Sequence, residues 1–196
     1  MLTLDENYWS GRYRQGQTQW DVGTITTPIK VYIDSLTDKD AKILVPGGGN
    51  GHEASYLFNN GFNNVYLLDF AQLPLHNFQK QNPDFPASQL LQQNFFEHKG
   101  SYDLIIEQTF FCALHPSKRS EYAEKMGRLL KPGGKLCGLL FDAPMNSDAP
   151  PYGGTSTEYS ALFNQYFNKV CIEPAYNSIA PRAGKEVWLE VSDPKV

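Results

Sequence analysis

Val45-Pro46-Gly47-Gly48-Gly49-Asn50-Gly51 joins a short apolar run, Lys42-Ile43-Leu44-Val45, to a helical stretch from His52 to Asn60 that Gly61 closes. An apolar run of this length, stopped by proline and glycine, reads as a buried strand. Glycine at 47, 49 and 51 lets the chain turn tightly and lets its backbone approach a ligand with no Cβ in the way. The helix N-terminus beyond it offers free N–H groups. Val65-Tyr66-Leu67-Leu68 reads as the next strand and ends at Asp69, whose carboxylate can accept from both hydroxyls of a ribose. A glycine loop followed by an acid at the end of the second strand is the nucleoside half of a cofactor-binding fingerprint.

Outward from this unit, strand and helix patterns keep alternating. Ala71 to Gln81 reads as a helix that tolerates Pro74 in its first turn, Gln89 to Gln93 as a weak strand, and Tyr102 to Ile106, running on to Gln108, as a clear one. Ser117 caps a helix to Leu130 that stops at Lys131-Pro132-Gly133-Gly134, and Leu136 to Phe141 is the next buried strand. Pro144 to Gly154 is a Pro/Gly-rich loop, Ser156 or Thr157 opens a helix to about Phe167, and Val170 to Ile172 and Val187 to Val191 close the chain as strands. This order implies an α/β fold, a mostly parallel sheet with helices on both faces. Ligands of such sheets bind beyond the carboxyl ends of the strands, where strand order reverses. The glycine cluster, Asp69, Asn94-Phe95 and Gln108 all fall at such ends and are expected to share one crevice.

With 196 residues, 41% hydrophobic and 19% charged, the chain is expected to fold as one globular domain over 1–196. A net charge of −4 with scattered Lys and Arg argues against nucleic acid as a partner. No apolar stretch is long enough to span a bilayer, and the N-terminus has no signal-peptide pattern. Cys112, Cys137 and Cys171 are too widely spaced for a disulfide frame or a metal site, and no metal is expected. A cytoplasmic enzyme with a small-molecule partner, working as a monomer, fits these features.

The residues alone leave the cofactor open. A dinucleotide prefers G-x-G-x-x-G, and His52 stands where the last glycine of that pattern would fall. The glycine loop, Asp69 and the turn Leu129-Leu130-Lys131-Pro132-Gly133-Gly134-Lys135-Leu136 together resemble the class I S-adenosylmethionine-dependent methyltransferases. Further matches are Tyr8-Trp9-x-x-Arg12-Tyr13, Gln19-Trp20-Asp21, Thr27-Pro28, Phe110-Phe111-Cys112-Ala113-Leu114, Pro150-Pro151-Tyr152 and Ile179-x-Pro181-Arg182-x-Gly184-Lys185-Glu186. Over nearly the whole chain these resemble the thiopurine S-methyltransferase family, nearest its halide, thiocyanate and thiol branch.

That resemblance implies a Rossmann-like, doubly wound sheet of seven strands and S-adenosyl-L-methionine as cofactor. It places Trp9, Tyr13 and Trp20, on an N-terminal segment over residues 1–27, as an aromatic cover of the cofactor; a sulfonium and an adenine both favour aromatic faces. It places Gly47 on the methionine part with Gly49 and Gly51 in the same loop, Asp69 on the ribose, Asn94 and Phe95 beside the adenine, and Gln108 on the cofactor, facing the reaction centre. Phe110, Phe111, Tyr152 and Arg182 are the expected acceptor side. Asn94 stands where aspartate is commoner, Gln108 where the family carries Tyr or Arg, and Tyr13 where tryptophan is usual.

The implied reaction is in-line methyl transfer to a small soft nucleophile, a thiol, thiopurine or halide-like anion, which needs alignment more than a base. A small-molecule O- or N-methyltransferase would need one, with Glu107 or His115 the nearest candidates. A catalytically silent cofactor-binding module is the reading from another class, and an NAD-dependent oxidoreductase comes last.

Overall fold

Period-two alternation in the central strands splits the core into two layers. A computed structural model describes residues 3–195. Its first elements are α1 (Glu6–Arg14), α2 (Thr27–Ser35), β1 (Ile43–Pro46), α3 (His52–Asn59), β2 (Val65–Asp69) and α4 (Gln72–Gln81). Then come β3 (Leu90–Gln92), β4 (Tyr102–Gln108), α5 (Arg119–Leu129) and β5 (Leu130–Phe141). The chain closes with α6 (Ser156–Tyr166), β6 (Phe167–Pro174) and β7 (Glu186–Pro194).

Ile43, Val45, Val65, Leu67, Leu104 and Ile106 point to one layer, where they meet Ile29 and Ile33 of α2, Leu57 of α3 and Phe78 of α4. Leu44, Leu68, Ile105 and Leu136 point to the other, against Tyr122 and Met126 of α5 and Phe163 of α6. Successive side chains of a strand face opposite ways, so a strand apolar at every position is one covered by helices on both sides. The seven strands run in the order β3-β2-β1-β4-β5-β7-β6. All neighbours are parallel except β7, which is antiparallel to both β5 and β6. The chain moves outward from β1 to β3 and then returns to β4, so the switch in strand order lies between β1 and β4.

Several local expectations need correction. Neither α1 nor α2 is among the helices expected from the sequence. Ser117 does not cap α5: it lies in a short 3₁₀ turn, where its N–H is donated to the His115 side chain. The strand expected from Leu136 is joined at once to α5, beginning at Leu130, and the intervening Lys131-Pro132-Gly133-Gly134 is absorbed where the β4–β5 register shifts. Thr155, one residue before the expected start, caps α6 in a reciprocal capping box with Glu158.

Candidate active site

The loop leaving β1 is shaped by close approaches. Gly49 has φ +54, and a Cβ there would lie 2.3 Å from the Tyr13 hydroxyl. A Cβ on Gly47 would lie 2.2 Å from the Phe110 ring. The loop's backbone therefore touches both the N-terminal segment and the turn after β4, and a side chain at either position would separate them. Asp69, at the end of β2, completes the loop: Oδ2 accepts from the Gly49 N–H at 3.0 Å and Oδ1 from the Ala71 N–H at 2.9 Å. Each carboxylate oxygen keeps a second lone pair free. Burial raises the Asp69 carboxyl to about 6, against the pull of these backbone donors.

A cavity of about 1040 Å³ opens over this loop, at the β1/β4 switch. Gly47, Gly49 and Asp69 line its floor, with Asn94 and Phe95 beside them after β3 and Gln108 and Phe110 at the end of β4. Asn94 Oδ1 accepts from the Phe96 N–H at 3.0 Å, and the Phe95 ring stands edge-on to Phe110 at 5.1 Å between centroids. From the N-terminal segment, Trp9, Tyr13 and Trp20 form another wall. Trp20 stacks edge-on against Trp9 at 5.4 Å and Tyr13 at 5.7 Å, so the three rings brace one another.

Polar contacts hold this segment across the cavity. Asp21 accepts from Asn50 Nδ2 at 2.5 Å and pairs with His52 Nε2 at 2.7 Å, at the N-terminus of α3. Arg182 Nη2 donates to the Trp20 carbonyl at 2.7 Å, and Thr26 Oγ1 donates to Gln108 Oε1 at 3.1 Å. The hydrogen bond from His52 holds the Asp21 carboxyl down to about 2, and the same contact raises the His52 imidazole. In the sequence His52 marks only the start of a helix. The signal for its partner is Asp21 in Gln19-Trp20-Asp21, an acid with no evident partner nearby in the chain.

Three residues expected at the site do not line the cavity. Gly51 (φ +71) is the N-cap of α3, and its Cα packs so tightly on Phe78 that a Cβ would fall 2.4 Å from that ring. Phe111 is 1% exposed and turns into the core, edge-on to Tyr122 and Tyr159, while its neighbour Phe110 faces the cavity. Tyr152 is buried behind the wall, where its ring meets His115 and its N–H is donated to the Cys112 carbonyl. Arg182 does line the cavity, but its guanidinium is engaged by Trp20 and by Glu186 at 3.5 Å.

The two candidate bases differ. Glu107 is fully buried and stands outside the cavity wall; Oε1 accepts from the Phe110 and Phe111 N–H groups and Oε2 from Tyr122. His115 lines the cavity, and its Nδ1 accepts from the Ser117 N–H at 3.3 Å. The same Nδ1 lies 2.8 Å from the Ser117 hydroxyl. Among the described residues no group of three or more His, Cys, Asp or Glu could hold a metal ion.

The buried carboxylate with free lone pairs, the glycine backbone bare of side chains and the facing aromatic rings fit a nucleoside cofactor with a sulfonium arm. The sequence matches the thiopurine S-methyltransferase family over residues 4–191. The chain belongs to that family.

Its relatives within and around the family span most of its length. It is 31% identical to the probable thiol methyltransferase 2 of Arabidopsis thaliana over 91% of this chain and 81% of that protein. It is 31% identical to thiocyanate methyltransferase 1 of Brassica oleracea, over 94% of this chain and 84% of the relative. It is 23% identical to the thiopurine S-methyltransferase of Vibrio cholerae, over 94% and 97%. In fold it is similar to the 1,6-didemethyltoxoflavin-N1-methyltransferase of Burkholderia thailandensis, solved with S-adenosylhomocysteine, at a TM-score of 0.76 and 16% identity over 96% of this chain and 86% of that one. Magnesium protoporphyrin IX methyltransferase of Synechocystis PCC 6803, solved with S-adenosylmethionine, gives a TM-score of 0.71 at 12% identity over 98% of both chains. As a member of the family the chain is an S-adenosylmethionine-dependent methyltransferase, with the class I methyltransferase fold.

Proposed function

We propose that the chain transfers the methyl group of S-adenosylmethionine to a small soft anion: a thiolate, or a polyatomic or halide ion of similar softness. The observation that carries this reading is the state of the two candidate bases. Glu107 has both oxygens occupied inside the core, and His115 has its Nδ1 turned to Ser117. An acceptor that arrives already ionised needs neither. The names of the plant relatives, a thiol and a thiocyanate methyltransferase, point the same way.

In this reading the bound cofactor supplies an electrophilic methyl on a sulfonium, a good leaving group. The chain's own residues bind and align. Gly47 lies along the methionine arm, Asp69 takes the ribose hydroxyls on its free lone pairs, and Asn94 and Phe95 flank the adenine. Trp9, Tyr13 and Trp20 cover the cofactor from the N-terminal segment and exclude water. Gln108, Phe110 and Arg182 face the acceptor. Cys112 also lines the cavity, and burial raises its thiol to about 12, so it stays protonated and does not compete for the methyl group.

The chain acts in this reading as one domain and a monomer, on a small molecule and without nucleic acid. A reducing cytoplasm suits its three unpaired cysteines. No helix among the described residues is long and apolar enough to cross a membrane. The test compares a small aryl thiol with the phenol and aniline of the same shape at pH 8. Methylation of the thiol alone supports the reading; comparable turnover of the phenol means that a free base exists and overturns it.

A further inference from the structure

We infer that Glu107 is a positioning residue: from outside the cavity, its carboxylate holds the turn that carries Phe110 against the glycine loop, and so sets the acceptor-side wall. The inference rests on the crevice being the methyl-transfer site, and gives a role to a residue that the same reading sets aside as a base.

The geometry is that of a clamp. β4 ends at Gln108, and the chain then turns through Thr109, at φ +58, a left-handed conformation that strains a residue with a Cβ. Glu107 Oε1 reaches over this turn to accept from the Phe110 N–H at 2.8 Å and the Phe111 N–H at 2.9 Å. Oε2 accepts from the Tyr122 hydroxyl at 2.5 Å, which ties the same carboxylate to α5. Phe110 and Phe111 leave the clamp in opposite directions, one against Gly47 at the cavity and the other into the core. The carboxylate therefore decides where the Phe110 ring stands.

Among the described residues no cation pairs with Glu107. The titratable groups facing it are Tyr122 from α5, the Cys112 thiol on the turn itself and, farther off, Glu53 of α3. Burial, with Glu53 adding to it, raises the Glu107 carboxyl to about 7 against the pull of its donors. Hydrogen bonds to a carboxylate are roughly twice as strong as those to a neutral acid. Protonation also puts a hydrogen on Oε2, where the Tyr122 hydroxyl now donates. The clamp is tight above neutrality and slackens below it.

Two measurements on the full chain test this. Selective 15N labelling of phenylalanine reports the Phe110 and Phe111 amides with no dependence on any acceptor. Their proton shifts are expected to move together through a common midpoint near 7, and Glu107→Gln is expected to abolish that titration. Tyr122→Phe removes one donor to the ionised form only, so it should move the midpoint upward by roughly one pH unit. That variant keeps the clamp testable should Glu107→Gln not fold. Kinetics with thiocyanate, which does not itself titrate in this range, should show an acid limb at the same midpoint. In Glu107→Gln the thiocyanate KM is expected to rise about tenfold while S-adenosylhomocysteine affinity stays within about twofold of wild type. Amides that do not titrate between pH 5 and 9, or a midpoint unmoved by Tyr122→Phe, would overturn the inference. Absent turnover of thiocyanate with the amide titration intact would count against the proposed acceptor class and leave the clamp standing.

Discussion

Gly49→Ala, made alone and together with Tyr13→Phe, tests whether the N-terminal segment and the glycine loop form one binding surface. At φ +54 an alanine pays the left-handed penalty, about 1–2 kcal/mol, in any background. Its Cβ would also lie 2.3 Å from the Tyr13 hydroxyl, so the hydroxyl must move by about 1 Å to reach ordinary contact. Tyr13→Phe removes that oxygen, and the next atom, Cζ, already lies at 3.5 Å, an ordinary contact. The backbone term is thus common to both backgrounds and the collision is not. Urea unfolding should show the backbone loss in both backgrounds and a further loss only where the Tyr13 hydroxyl is kept. Calorimetric binding of S-adenosylhomocysteine should show the difference: a loss of about tenfold or more for the single variant, largely restored in the double, with a coupling of about 1–2 kcal/mol. Binding losses that add to within about 0.5 kcal/mol would refute the reasoning, because Tyr13 and the loop would then not meet in the binding-competent state.

Other outcomes follow from the same geometry. Asp69→Ala strips the acceptor from the Gly49 and Ala71 N–H groups, each worth about 1–3 kcal/mol when left unpaired, so urea unfolding and S-adenosylhomocysteine affinity should both fall; wild-type cofactor affinity in this variant would remove Asp69 from the site. Gly51→Ala combines a left-handed alanine with overpacking on Phe78 and should cost about 2–5 kcal/mol of stability in urea, more than Gly49→Ala in the Tyr13→Phe background. The Asp21–His52 pair sets a pH window. A lowered acid contributes above its ordinary range and loses this as pH falls toward 2, whereas a raised imidazole contributes below about 6.5 and loses this as pH rises past its raised value. Limited proteolysis of the N-terminal segment should therefore quicken on the alkaline side of that window, and Asp21→Asn should flatten the dependence.

The sheet was legible because burial on both faces writes a continuous apolar run. Ile43-Leu44-Val45 and Leu104-Ile105-Ile106 could be placed as strands before their opposite-facing partners were known. α1 was not legible for a physical reason: it buries only Ser10, and its aromatics Trp9 and Tyr13 line a cavity instead of a core, so no helical apolar stripe forms. α2 did carry a signal, Pro28 at its start and Ile29 and Ile33 one turn apart on a buried face. At the site, a loop of four glycines does not say which approach a ligand and which pack a helix; Gly51 proved to face Phe78. Likewise Phe110-Phe111 reads as one apolar pair, and only the Glu107 clamp reveals that the rings diverge. Asp69 could be placed beside the glycine loop because a strand end is a position defined by sequence, whereas the Asp21–His52 contact joins segments far apart in the chain.

The most direct test of the account is formation of S-adenosylhomocysteine from S-adenosylmethionine with iodide, thiocyanate, sulfide, a small aryl thiol and a thiopurine, beside a phenol and an amine. Turnover confined to the soft nucleophiles, and lost in Asp69→Ala, is the expected result. Tight cofactor binding with no turnover on any of the soft nucleophiles, or turnover on the phenol or amine alone, would contradict it.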